Sequence, residues 1–128
     1  MVKNMSYLGD LIYKPEKVEG EAAGKKETHT PKIRAPNKVK AGEPFTVEIE
    51  VGPHPNQAVH SIRYVQLFFK EEGRAFNPIH LATAILEPEY AEPKITFTVK
   101  VKKPGTLYAL GYCNLHGLWE SSAKIEVE

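Results

Sequence analysis

The stretch Phe45-Thr46-Val47-Glu48-Ile49-Glu50-Val51 decides the fold. Apolar residues occupy every second position, with Thr46, Glu48 and Glu50 between them. Successive side chains of a strand point to opposite faces, so a period of two specifies a strand with one face buried and one in water. Gly42-Glu43-Pro44 supplies a turn before it.

Working outward, the same alternation recurs in Ile95-Thr96-Phe97-Thr98-Val99-Lys100-Val101. Lys102-Lys103-Pro104-Gly105 closes that run, and residues 106–112 follow at hairpin distance. Near the end of the chain, Ala123, Ile125 and Val127 alternate, which predicts a strand over 122–128. Upstream lies a long run over 59–69. There His60, Ile62, Tyr64, Gln66 and Phe68 share one face, and Ser61, Arg63, Val65, Leu67 and Phe69 the other. Residues 79–86 are a weaker apolar run, compatible with a strand or a helical turn. The β pattern begins at Pro31. Before it, Leu8, Leu11, Ile12 and Tyr13 leave room for at most a short helical turn ahead of Pro15, and 16–26 read as a charged surface loop.

About seven short strands separated by turn signals predict an all-β fold. Its architecture is a seven-stranded, immunoglobulin-like antiparallel β-sandwich with a short irregular N-terminal segment. The expected organisation is one domain over 1–128, with a leader at 1–26 and the sandwich at 27–128. A chain of 128 residues buries about two thirds of its unfolded surface, enough to hold a core without staples.

Composition removes several classes of function. Seventeen basic and sixteen acidic side chains nearly cancel, whereas nucleic-acid-binding domains carry a basic excess. The single cysteine, Cys113, cannot form an intramolecular disulfide. Residues 1–10 lack an apolar run of signal-peptide length, and no stretch reaches the roughly 18 apolar residues of a membrane span. The expectation is a soluble cytoplasmic protein without nucleic-acid or membrane partners.

The chemistry lies in three segments. In Tyr112-Cys113-Asn114-Leu115-His116-Gly117 a C-x-x-H turn can aim a thiolate and an imidazole at one ion, and Gly117 relaxes the backbone after the ligand. Prolines on both sides of His54 stiffen its backbone in Pro53-His54-Pro55-Asn56, and His60 follows at the start of the long strand. Glu27-Thr28-His29-Thr30-Pro31 joins the leader to the β region. A sandwich gathers its loops at its ends, where such residues can meet. His80, in Pro78-Ile79-His80-Leu81, has no ligand-like neighbour and is read as structural or exposed. Taken singly, a loop histidine is a surface residue and a lone cysteine a small core hydrophobe.

Together the segments resemble superoxide reductase, also called neelaredoxin, the iron domain shared with desulfoferrodoxin. Glu27-Thr28-His29-Thr30-Pro31, Pro53-His54-Pro55-Asn56 with His60, Ile62-Arg63-Tyr64, and the long stretch Leu107-Tyr108-Ala109-Leu110-Gly111-Tyr112-Cys113-Asn114-Leu115-His116-Gly117-Leu118-Trp119-Glu120 carry the likeness. It runs from about Glu27 to the C-terminus. With one cysteine, the chain looks like the one-iron class. The resemblance implies one mononuclear iron, with His29, His54, His60 and His116 in the equatorial plane and Cys113 as axial thiolate. Glu27 matches the glutamate that takes the sixth position in the oxidised state. It also implies one-electron reduction of superoxide to hydrogen peroxide, re-reduction by a small carrier such as rubredoxin, and a homotetramer. The family usually has lysine where this chain has Thr28, so Lys25 and Lys26, just upstream, become candidates to attract the anion.

Two other metal readings compete. A cupredoxin-like electron carrier needs two histidines, a cysteine and a weak axial methionine, but Met1 and Met5 lie far from the cysteine loop. A structural zinc site wants four ligands rather than five. A plain interaction module without metal leaves the Cys113–Glu120 stretch unexplained.

Overall fold

The alternation at residues 45–51 becomes a strand of one layer of a sandwich in the computed structural model, which describes residues 7–128. Met1 and Met5, weighed above for copper, lie outside the described residues. A three-stranded sheet has the order β1 (Lys32–Arg34), β3 (Phe45–Glu50), β6 (Lys94–Val99). It faces a five-stranded sheet in the order β2 (Lys38–Val39), β8 (Gly117–Val127), β7 (Gly105–Cys113), β4 (Ile62–Glu71), β5 (Ile79–Ile85). All pairs are antiparallel except β2 with β8. The expected sandwich is present, and the two-residue β2 brings the strands to eight.

Val47 and Ile49 of β3 are fully buried, facing Val65, Leu67, Leu107 and Ala109 of the other sheet across one core. Each Val or Leu so buried stabilises the fold by about 1.5–3 kcal/mol. Residues 79–86, left open above, form the strand β5.

Three local readings need correction. The long strand starts at Ile62, not at 59, and its register shifts between Ile62 and Tyr64. The bulge puts Ile62 in the core with Val65, Leu67 and Phe69, while Tyr64 stays on the outer face. An extra residue reverses the alternation, so the single face drawn through His60, Ile62 and Tyr64 does not exist. Second, β8 begins at Gly117, five residues before the alternation that announced it. Third, residues 16–26 are not all loop: they hold a 3-10 helix (Gly20–Lys25) that runs into α2 (Lys26–His29), while α1 (Leu8–Leu11) is the short helical turn expected ahead of Pro15. Tyr13 also pairs as a one-residue bridge with Trp119, covering part of the β8 edge. Among the described residues no helix is long and apolar enough to cross a membrane.

Candidate metal centre

Cys113 is the last residue of β7 and pairs with Gly117, the first of β8. Asn114, Leu115 and His116 are therefore a hairpin loop. Gly117 has φ 85°, a conformation that costs glycine little. The loop folds His116 back over the strand end, leaving its Nδ1 3.5 Å from the buried Cys113 Sγ.

The other histidines come from three segments that meet this hairpin. His29 ends α2 and is buried. Its Nδ1 lies 3.1 Å from the Lys25 carbonyl and 2.8 Å from Thr28 Oγ1. The carbonyl can only accept, so Nδ1–H donates and the Nε2 lone pair points inward. His54 follows the cis Gly52–Pro53 bond, and its Nδ1–H donates to the Pro55 carbonyl at 2.7 Å. Its Nε2 lone pair also points inward, 3.2 Å from His29 Nε2. His60 lies just before β4, bridged to Gln57, with its buried Nε2 lacking any partner.

The four rings close a square. Centroid separations are 4.7 Å for His29–His54, 4.6 Å for His54–His60, 5.1 Å for His60–His116 and 5.0 Å for His116–His29. Neighbouring planes stand at 71° to 89°. Ligand atoms of His29, His60, Cys113 and His116 lie within 4.8 Å of one another. His54 falls outside that set, yet its contact with His29 completes the square. Two inward lone pairs at 3.2 Å repel unless a cation lies between them. Imidazoles bound at about 2.1 Å and at right angles would have nitrogens about 3.0 Å apart. The orphaned His60 Nε2 and the facing lone pairs fit a metal ion, and imidazole plus thiolate suits iron.

Electrostatics agree. Burial, then the neighbouring imidazoles, lowers the pKa of His29 to about 4, against the pull of the Lys25 carbonyl. Burial also lowers His54, helped by His60 and His116. At His116 burial is again the first cause, followed by the Lys25 charge. All three are held in the neutral, ligand-ready form at neutral pH.

Glu27 stands elsewhere. It is exposed on α2 and lines a shallow cleft with Pro15, Lys26, Thr30 and Lys32. His80 is exposed on β5, its Nε2 2.6 Å from Thr83 Oγ1 and its ring against Phe68, away from the square. Thr28 Oγ1 supports His29 rather than facing the centre.

Sequence reasoning missed the residues that hold the ligands. Asn114 Oδ1 accepts from Ser61 N–H and its Nδ2 donates to the Val59 carbonyl, both at 2.9 Å, tying the hairpin to the His60 segment. Asn56 Nδ2 donates to Glu92 at 3.0 Å and its Oδ1 accepts from Glu89 N–H at 2.7 Å, anchoring the His54 loop. Lys32 Nζ donates to the carbonyls of Gly52 at 2.7 Å and Glu27 at 3.4 Å. Trp119 packs against His29 and donates Nε1–H to the His116 carbonyl at 3.0 Å. The adjacency of Asn114 and Asn56 to ligands in sequence was the available signal. Nothing in the sequence pointed to Lys32.

The sequence profile of the desulfoferrodoxin family matches residues 21–122. Superoxide reductase from Pyrococcus furiosus is 39% identical over 116 residues, spanning 80% of this chain and 91% of that protein. Neelaredoxin from Megalodesulfovibrio gigas is 36% identical over 118 residues, 81% and 91% of the two chains. Among solved structures, the superoxide reductase (neelaredoxin) from Ignicoccus hospitalis superposes with a TM-score of 0.90 at 61% identity, covering 96% of this chain and all (100%) of that one.

Proposed function

The chain belongs to the desulfoferrodoxin family, and from that premise we infer that it is a superoxide reductase working at one mononuclear iron. The observation that carries the site assignment is the closed square of imidazoles with Cys113 Sγ beside it. In this reading His29, His54, His60, His116 and Cys113 would hold the metal. When bound, iron would supply the one-electron chemistry that reduces superoxide to hydrogen peroxide.

The chain's own residues do the rest. The Nδ1–H bonds to Lys25 and Pro55 carbonyls orient two rings and raise their basicity as ligands. Cys113, fully buried, would bind as a thiolate and supply negative charge to the metal. Glu27, two residues before His29 on the same helical turn, is the carboxylate that would approach the oxidised metal. Its exposure leaves it free to swing. Thr28 carries no charge, so attraction of the anion falls to Lys25, whose charge already bears on His29 and His116.

A small one-electron carrier such as rubredoxin re-reduces the centre in this proposal, in the cytoplasm. Exposed Tyr7, Leu8 and Leu11 on the leader support self-association into a homotetramer. A copper carrier of the cupredoxin kind is not favoured, because four histidines converge where two suffice.

The test is metal analysis joined to pulse radiolysis. One iron per chain, a thiolate-to-ferric absorption band lost on reduction, and superoxide consumed without dioxygen release are expected. A colourless, zinc-loaded protein from iron-replete cells overturns the reading. Glu27→Ala should leave the superoxide encounter intact and change the ferric spectrum. Sedimentation velocity checks the tetramer.

A further inference from the structure

Three aromatic rings run in contact from the metal centre to solvent. Trp119, the chain's one tryptophan, is buried with its ring centroid 5.3 Å from that of His29. On its other side Tyr13 stacks at 4.7 Å with planes 30° apart, and Tyr13 is 39% exposed. The stack is held at each end. Tyr13 N–H donates to the Leu118 carbonyl at 2.9 Å, and Glu120 N–H donates to the Tyr13 carbonyl at 2.8 Å. The indole N–H is fixed on the His116 carbonyl.

The proposed reaction makes this stack useful. Hydrogen peroxide, a two-electron oxidant, leaves a centre that has just become ferric, and once the carrier has reset that centre any peroxide still nearby meets a ferrous ion with one electron to give. The second electron must come from the protein. Among the near donors is Cys113, whose oxidation beyond the sulfenic level is irreversible and would destroy the site. Trp119 touches His29 and offers an electron without loss of a ligand.

We propose that Trp119 and Tyr13 form an electron-supply path that spares the ligands from peroxide. It rests on the iron reading above. Trp119 gives one electron to the peroxide-oxidised site by way of His29. Tyr13 refills Trp119 and loses its phenolic proton to water. In sum, hydrogen peroxide takes one electron from ferrous iron, one electron from Tyr13 by way of Trp119, and two protons from solvent, which receives the one that Tyr13 releases. The O–O bond breaks and two waters form. A ferric site and a neutral tyrosyl radical at the surface remain. A thiol or the same one-electron carrier that resets the iron then returns a hydrogen atom equivalent to Tyr13.

The experiment adds equimolar peroxide to the reduced, iron-loaded protein, its zinc-loaded form, and the iron-loaded variants Trp119→Phe and Tyr13→Phe. Freeze-quench electron paramagnetic resonance and peptide mass spectrometry locate the radical and the oxidised residues. Wild type should give a tyrosyl signal and oxygen adducts or cross-links on Tyr13, absent with zinc. Trp119→Phe keeps an aromatic ring in place, so a packing role would survive it. Under the proposal, oxidation of Tyr13 falls several-fold and oxidation of Cys113 rises. Tyr13→Phe should shift the damage to Trp119, and being partly exposed it keeps the test open if Trp119→Phe folds poorly. Equal oxidation of Tyr13 in Trp119→Phe, or damage centred in wild type on Cys113 or on the stacked pair Tyr64–Tyr112, overturns the path. A protein that takes up no iron sinks the iron reading with it; an iron protein with Tyr13 untouched sinks the path alone.

Discussion

Replacing Asn114 by alanine separates the support of the metal centre from its ligands. The side chain makes two bonds of 2.9 Å, accepting from Ser61 N–H and donating to the Val59 carbonyl. Ser61 is buried, so its N–H would lose its partner with no water to replace it. An orphaned buried donor costs about 1–3 kcal/mol. Val59 is exposed and its carbonyl can turn to solvent, so the second bond adds about 0.5 kcal/mol at most. The sum is about 2 kcal/mol, which for a domain of this size lowers the melting temperature by about 6–10 °C. The Asn114 N–H bond to the Ser61 carbonyl at 3.3 Å survives, so the hairpin stays near its place. The same 2 kcal/mol, expressed in holding the His60 and Cys113 segments together, corresponds to about thirtyfold weaker metal retention. Asn77 is the control. It makes three comparable bonds, to Glu71 N–H and to the Glu71 and Arg74 carbonyls, in the β4–β5 hairpin remote from the site. Iron loss to a chelator and thermal unfolding by circular dichroism should be measured on both. Asn114→Ala is expected to lose stability and iron; Asn77→Ala should lose only a little stability. If Asn114→Ala releases iron at the wild-type rate, or Asn77→Ala releases it as fast as Asn114→Ala, the clamp argument is wrong.

Other expectations follow from the same geometry. In the metal-free protein His29 titrates near 4 when folded against an ordinary 6.5, and His54 and His116 are also lowered. Between those values the unfolded chain binds more protons, so the stability is whole above about pH 6.5 and is lost as pH falls towards 4, by up to about 3 kcal/mol from His29. Urea midpoints of chelated protein at pH 7 and pH 4.5 check this, and a flat profile contradicts it. Cys113→Ser should abolish the visible charge-transfer band of the ferric protein while leaving the sandwich folded; a retained band would remove Cys113 from the ligand set. Lys25→Ala should slow the superoxide reaction and flatten its dependence on ionic strength, and Lys26→Ala should do so less. Unchanged rates and salt slopes in both would show that neither stands in for the lysine the family has at the position of Thr28.

Much of the fold was legible because period-two alternation reports burial directly. Residues 45–50 pair with 94–99 in register, and the predicted inner residues Val47 and Ile49 are fully buried. Alternation failed where the backbone breaks its own period. The bulge after Ile62 inserts a residue that no pattern of side chains marks, so the strand face was drawn wrongly there. The start of β8 was hidden for a different reason. Residues 117–121 include Trp119 turned to the site and Ser121 on neither extreme of exposure, so hydrophobicity does not alternate cleanly. The chemistry was legible in another way: scarce residue types, set among prolines and glycines, named the candidate ligands without any distance. What spacing could not supply was the through-space partners. Lys32 meets Gly52 across twenty positions of sequence, and Asn114 meets Ser61 across 53.

Those partners link the four ligand segments in a chain of their own. Lys32 joins the Glu27–His29 turn to the Gly52–His54 loop. Asn114 joins the His60 segment to the Cys113–His116 hairpin, and Trp119 joins that hairpin back to His29. Each ligand segment is thus fixed by at least one bond that involves no metal. Loops so fixed have little conformational entropy left to lose when an ion binds, which makes the site tighter than the same five donors on free loops. The fixed shell also bears on which ion fits. Drawing all four rings into the tetrahedron that zinc prefers would strain the Lys25, Pro55 or Trp119 bonds. Under the iron reading, discrimination against zinc would then lie in those residues as well as in the donor atoms.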